Sequence, residues 1–158
     1  MGEIPDKQIG WVLFHAKDAK LNREGRKEER RFIMDENQIS YRIIGAALDI
    51  HKSVGPGLLE SPYENALVFE LQEAGFEVKS QLALPFNYKG NHLDVGYRID
   101  LMVENKVIVE IKSVENLLPV HHAQLLTYLR ISGRKLGLLI NFNNSKLNEG
   151  IHRVVNNL

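Results

Sequence analysis

The sequence predicts an α/β fold in which a β-sheet is covered by helices on both sides. Three observations predict it. Two capped, amphipathic helical segments lie between residues 35 and 75. Apolar runs of strand length follow residue 76, and one of them folds back on itself as a hairpin. From Ser61 onward the elements run α-β-β-β-α-β with an additional helix in front, and interleaving of this kind buries both faces of a sheet.

The additional N-terminal helix begins at "MDENQ". Asp35 suits the N-cap, Gln38 completes a capping box, and Met34 with Ile39 is placed as a hydrophobic staple. Ile39, Ile43, Ala47, Ile50 and Val54 then recur at helical spacing. "GPG" at 55–57 ends it. In the second helix, "SPYENALVFELQEAG", Ser61 is the expected cap, Pro62 suits the first turn, Glu64 closes a capping box and Gly75 sits at the far end. Its expected apolar face is Tyr63, Ala66, Leu67, Leu71 and Ala74. Strand-like "FEVKSQLALPFNYKG" comes next, then the hairpin "YRIDLMVENKVIVEIKSVE". "PVHHAQLLTYLRISG" reads as a helix with Leu125, Leu126 and Leu129 apolar, and "KLGLLINF" as a short strand. The tail offers Ile151, Val154 and Val155 to the core.

Residues 1–33 differ from the rest. "KDAKLNREGRKEERR" mixes charges with little apolar periodicity, as a solvated helix or a disordered lead-in would. Met34 would serve as a natural start, which makes 1–33 an N-terminal extension, disordered or not native, and 34–158 the domain.

Composition narrows the function classes. At 158 residues with 44% hydrophobic and 25% charged residues, the chain suits one soluble domain. The absence of cysteine excludes disulfides and thiolate metal sites. "IGWVLF" is too short to span a bilayer and lacks the flanks of a signal peptide, so the expectation is a cytoplasmic protein with no membrane partner. Formal net charge is zero. Residues 1–33 carry eight Lys/Arg and six Asp/Glu, leaving twelve and fourteen for 34–158. A polyanion would therefore need a local basic patch, not a global field.

The hairpin carries the chemistry. With a three-residue turn at Glu104-Asn105-Lys106, Val103 faces Val107, Leu101 faces Val109 and Ile99 faces Ile111, all on one core face. The other face pairs Met102 with Ile108, Asp100 with Glu110 and Arg98 with Lys112. Opposed like charges are destabilising, and their apolar neighbours argue against free solvation. Either one carboxyl takes a proton or a cation sits between them, with Lys112 neutralising part of the charge. The alternative is an amphipathic hairpin with a solvated polar face carrying an Asp100–Glu110–Lys112 cluster.

Asp100, followed nine residues on by "EIK" at 110–112, resembles the PD-(D/E)XK nuclease superfamily. "GLLESPY" at 57–63 resembles the signature of the GxxExxY proteins placed in that superfamily. Gln124 and Tyr128 in "PVHHAQLLTYL" resemble the Gln-x-x-x-Tyr element of its RecB-like branch. The resemblance covers about residues 34–158. It implies a restriction-endonuclease-like α-β-β-β-α-β core with a central mixed sheet. Asp100 and Glu110 become metal ligands, Lys112 the catalytic lysine and Glu60 the acid of the first core helix. Pro62 departs from the pattern and forces Glu60 to the helix start or just before it.

The implied activity is metal-dependent hydrolysis of phosphodiester bonds in DNA, or less favourably RNA, with Mg²⁺ or in its place Mn²⁺ as cofactor. Two carboxylates plus the Ile111 backbone carbonyl suit an ion that keeps several waters, and Glu60 would complete its shell or hold one of those waters. Each further residue has a plainer reading beside the functional one. Glu60 can be a charge at a helix N-terminus. Tyr63 can line the site or be a core aromatic. His121, Gln124 and Tyr128 fall on one helical stripe and can contact phosphate or a base, or form a polar seam. His122 lies off that stripe, on the expected surface. No His/Asp/Glu cluster has zinc spacing, and "GPGLLE" lacks the Gly-Lys of a phosphate-binding loop. Two further classes remain open: a nucleic-acid-binding or partner-regulating module without turnover, and a hydrolase of another phosphoester. Neutral charge and small size favour the module, or a nuclease that borrows affinity from a second copy or a partner protein.

Overall fold

A computed structural model describes residues 33–93 and 96–158, so the extension expected over 1–33 lies, save for Ile33, outside the described residues. Met34–Leu158 packs as one compact unit. Two helices lead, α1 (Glu36–Val54) and α2 (Glu60–Glu73). Strands β1 (Val78–Ala83), β2 (Phe86–Tyr88), β3 (Asn91–Leu93), β4 (Arg98–Val103) and β5 (Val107–Lys112) follow. Helix α3 (Pro119–Ser132), β6 (Leu136–Asn141), a 3₁₀ turn (Leu147–Gly150) and β7 (Ile151–Val155) complete the chain.

The main sheet has the order β1-β4-β5-β6-β7. It is mixed: β5 and β6 run parallel and the other pairs antiparallel. The parallel pair requires a crossover, which α3 supplies. Each face has its own core. Ile39, Ile43, Tyr63, Leu67 and Leu71 of α1 and α2 meet Leu101, Val103, Val107, Val109, Ile111, Leu138 and Ile140. On the opposite face, Leu125, Tyr128 and Leu129 of α3 meet Ile99, Met102, Ile108 and Leu139. The expected α/β core, covered on both sides, is present. Strands β2 and β3 add a small separate hairpin, and the tail forms β7.

Local chemistry explains the helix starts. Asp35 caps α1: its Oδ1 accepts the Gln38 N–H at 2.8 Å, and Gln38 Oε1 accepts the Asp35 N–H at 2.9 Å. Met34 packs against the core that holds Ile39, as the staple requires. In α2 the expected cap is wrong. The helix begins at Glu60, one residue before Ser61, with Leu59 as N-cap and no side-chain cap bond. Pro62 is then the third helical residue, where no intrahelical N–H bond is lost. Glu64, freed from capping, accepts two bonds from Gln81 Nε2 at 2.9 and 2.8 Å. Val54, Ala74 and Val155, expected in the core, are exposed; the first lies at the last turn of α1 and the second at the cap of α2, where the buried stripe has run out.

Candidate active site

The turn and register between β4 and β5 follow the period-two pattern through three pairs: Val103 with Val107, Met102 with Ile108 and Leu101 with Val109. There the pairing stops, although both strands continue. Ile99–Ile111, Asp100–Glu110 and Arg98–Lys112, expected as cross-strand pairs, do not form ladder pairs. Beyond Leu101, β4 stays with β1 and β5 stays with β6, so the two central strands part. Ile99 also leaves the face of Leu101 and Val103 and packs with Met102 and Ile108 instead. Strand β1 is irregular at the same level. Gln81 takes a left-handed backbone (φ 50°), and the β1–β4 pairing skips its position opposite Asp100 while resuming at Leu82–Ile99. A residue with φ above zero breaks the pleat and rotates the remainder of its strand.

Side chains fill the gap the strands leave. Asp100 Oδ2 accepts the Ile111 N–H at 2.8 Å. Glu110 Oε1 accepts the Asp100 N–H at 3.3 Å. Each acid thus takes a backbone donor that a continuous ladder would have satisfied. In an extended strand a residue's N–H and C=O point the same way, so the Ile111 carbonyl also opens toward the gap. The Lys112 carbonyl, one residue on, points the other way and accepts the Phe142 N–H at 2.8 Å.

Both acids are held partly out of water. Glu110 is 2% exposed, which overturns the solvated-face alternative. It alternates with Val109 and Ile111 of the α1–α2 core, and so turns with Lys112 toward the α3 side. Burial first, then the Asp100 charge, pushes its pKa up to about 8; Lys112, with Nζ 3.8 Å from Glu110 Oε2, opposes this. Burial likewise raises the Asp100 pKa, while the Ile111 N–H and the Lys112 charge pull it down and Glu60 adds to the rise.

Asp100 opens into a cleft of about 500 Å³ that Leu59, Glu60, Glu64, Gln81 and Ser113 also line. Glu60 sits at the first position of α2, where an acid is favoured. Its Oε1 accepts the Ser113 N–H at 3.3 Å, and Ser113 Oγ donates to the Leu58 carbonyl at 2.5 Å. These two bonds fasten the start of α2 to the exit of β5. A hollow of similar size, lined among others by Asp49, His51 and Lys146, lies against α1 and lacks the paired acids.

The other expected site residues divide. Tyr128 is 3% exposed, its hydroxyl accepts from Gln124 Nε2 at 2.6 Å, and its pKa is raised by burial and by the charges of Glu110 and Asp100. Gln124 and Tyr128 therefore stand on the α3 side of the sheet, toward which Glu110 turns. His121 does not join them: its Nδ1 accepts the Leu118 N–H at 3.0 Å and closes the start of α3. Tyr63 is fully buried in the α1–α2 core, stacked on Phe142 with centroids 4.4 Å apart. Its hydroxyl donates to the Gly55 carbonyl at 2.7 Å and accepts the Leu58 N–H at 3.1 Å, so it shapes the loop that presents Glu60. His122 is half-buried, edge-on to His152 at 5.0 Å, and not on the open surface.

Sequence reasoning missed Gln81, which bonds Glu64 and lowers the Asp100 pKa through a side-chain bond. Nothing local in "VKSQLA" signals its left-handed backbone. It also missed Asn141, 1% exposed, whose side chain accepts the Val114 N–H and donates to the Val114 carbonyl and to Asn144. An asparagine closing the apolar run "GLLIN" was the available signal.

The donor set fits a hard divalent ion. Two carboxylates and a carbonyl meet beside a gap, and burial first, then the Asp100 charge, disfavours ionisation of Glu110, a balance that a cation would reverse. Among the described residues no three His, Cys, Asp or Glu side chains form a metal cage. Glu60 bears on the Asp100–Glu110 pair through its charge, which adds to the rise of both pKa values.

The profile of the PD-(D/E)XK nuclease superfamily matches residues 37–154. Among solved structures, the one titled "Crystal structure of SSO0001" aligns at 19% identity with a TM-score of 0.42, covering 95% of this chain and 79% of that one. No curated protein matches the chain.

Proposed function

The chain belongs to the PD-(D/E)XK nuclease superfamily, and from that premise we propose that it is a metal-dependent nuclease hydrolysing phosphodiester bonds in DNA, with RNA the less favoured substrate. The observation that carries this is the parted β4–β5 gap, where Asp100 and Glu110 are each anchored by a backbone N–H with Lys112 beside them. Asp100, Glu110 and the Ile111 carbonyl are the proposed ligands of Mg²⁺, or of Mn²⁺ in its place. Bound there, the ion would supply an activated water and positive charge against the phosphate. Lys112 is the proposed catalytic lysine: it holds the attacking water in line and offsets charge building on the phosphate oxygens. Glu60 orients water at the cleft side, and Gln124 with Tyr128 lines the opposite side. We place Tyr63 and His121 as positioning residues, the one through the Glu60 loop and the other through the α3 start.

Gly57, Glu60 and Tyr63 support membership of the GxxExxY proteins, and the Gln124–Tyr128 pair supports the RecB-like branch. Among the described residues no helix is long and apolar enough to cross a membrane, which is compatible with a cytoplasmic protein. A second reading is a binding module without turnover on a nucleic acid or partner protein; one feature favours its partner-protein form: the cleft lining holds Glu60, Glu64 and Asp100 and no cation among the described residues.

The test is a cleavage assay on single- and double-stranded DNA and RNA with Mg²⁺ or Mn²⁺. Cleavage should vanish with chelator and fall at least ~100-fold in Asp100→Ala and Lys112→Ala. Unchanged cleavage in both variants would reject the site. Binding without cleavage of any substrate would favour the module.

A further inference from the structure

The acidic cleft poses a problem that the site itself does not solve. A phosphate chain approaching Asp100 meets Glu60 and Glu64 at the rim, and like charge repels it. Something else must hold the strand.

The β2–β3 hairpin is placed to do so. Ala83 at the end of β1 pairs with Arg98 at the start of β4, and the Leu84 N–H donates to the Tyr97 carbonyl at 2.8 Å. The described residues 85–93 between them therefore lie outside the main sheet, and they follow β1 at the end where β4 and β5 part. Arg98, exposed, is two residues from Asp100, about 7 Å along the strand. Among the described residues the hairpin pairs only with itself and belongs to neither buried core. A two-stranded ribbon with no partner gains little from its own fold, so its surface chemistry is informative.

That surface has two sides. Phe86 pairs with Leu93 and Tyr88 with Asn91, while Asn87 pairs with His92. Alternation puts Phe86 and Tyr88 on one side and Asn87 on the other. The Phe86 and Tyr88 rings lie 19° from parallel with centroids 6.3 Å apart, and Lys89 Nζ stands 5.4 Å from the Tyr88 ring. Tyr88 is 54% exposed and Tyr97 42% exposed. Tyr97 in turn lies 6.0 Å from Tyr128, whose hydroxyl feels both site acids. In chain order, exposed Tyr88, Lys89, Tyr97 and Arg98 thus lead from the hairpin tip to Asp100. Flat rings beside cations match a strand whose bases are unstacked from a partner; a paired duplex hides those faces.

We propose that the β2–β3 hairpin with Tyr97 and Arg98 is an arm that binds unpaired nucleotides, with Tyr88 and Tyr97 stacking on bases and Lys89 and Arg98 on phosphates, and so leads one strand to the Asp100–Glu110 gap. This rests on the nucleic-acid reading above, but its test reads binding and not cleavage. The full chain is titrated in chelator onto fluorescein-labelled oligo(dT) and onto a duplex of equal length, with anisotropy as the signal. Oligo(dT) should bind more tightly than the duplex. Tyr88→Ala should weaken oligo(dT) binding about tenfold, the scale of one lost base–aromatic stack, and Tyr88→Phe should restore it. Lys89→Ala should flatten the salt dependence by about 0.7 in log–log slope. None of the three should move the melting temperature, since the hairpin lies outside both cores.

Oligo(dT) affinity unchanged in Tyr88→Ala, or duplex bound as tightly as oligo(dT), would overturn the arm, as would no binding of either. The two readings fail separately. Metal-dependent cleavage with Tyr88-insensitive binding removes the arm alone; Tyr88-dependent binding with no cleavage of any substrate removes the nuclease and keeps the arm.

Discussion

Burial and the neighbouring Asp100 carboxyl together hold a proton on Glu110 up to about pH 8. That has a sign. Unfolded, the group would release its proton near 4.5, so between there and about 8 the folded chain binds the extra proton. Stability from this group is full below the lower value and is lost as pH rises through the upper one. Its linkage ceiling is about 5 kcal/mol, before Asp100 is counted. In chelator, the melting temperature should fall from pH 5 to pH 8, and Glu110→Gln should flatten that fall and melt higher at pH 8. An unchanged slope in Glu110→Gln would contradict the assignment. At this scale the sequence spoke clearly about which acids matter, because turn length and period two brought Asp100 and Glu110 together. It was silent about how they meet. The reciprocal backbone bonds lie level with Gln81 of a neighbouring strand, and a left-handed glutamine has no local signature.

The elements are held to the sheet by contacts of unequal tolerance. Helix α3 approaches β6 at Gly137, where an added Cβ would stand 2.7 Å from Leu125 Cδ1 and 3.0 Å from its Cγ. Leu125 is fully buried, so the clash cannot be relieved by swinging into solvent. Gly137→Ala should cost about 1–3 kcal/mol in chemical denaturation, the range for overpacking, and Leu125→Ala in the same chain should recover part of it. Full additivity of the two losses would contradict the close approach. The start of α1 was legible because Asp35 makes its cap, and that of α3 because Pro119 opens it, whereas the start of α2, with Leu59 at the cap, was misplaced by one residue. The start of α2 is fixed instead by Tyr63, from within the helix, and Ser113, from the exit of β5, gripping the Gly55–Glu60 segment, and neither stands at the cap position. The separate β2–β3 hairpin was read only as strand-like sequence, because its short, exposed strands carry no buried periodicity.

Across the whole molecule, two demands meet at one end of the central strands. Strand β4 stays paired with β1 and β5 with β6, and the gap between them is lined by carboxyl groups with too little positive charge to settle them. The mixed sheet with helices on both faces was legible from element order, since apolar runs of strand length between amphipathic helices leave few other layerings. Its zero net charge, by contrast, gave no sign of how the charges are distributed. The central claim is that the parted strands form a divalent-metal site. Calorimetric titration of Mg²⁺ into the full chain at pH 7, run in two buffers of different ionisation enthalpy, tests it. Binding should release up to about one proton, because the ion displaces the one Glu110 keeps, and both binding and release should disappear in Asp100→Ala. Mg²⁺ binding that persists in Asp100→Ala, or no binding to the unaltered chain, would contradict the account.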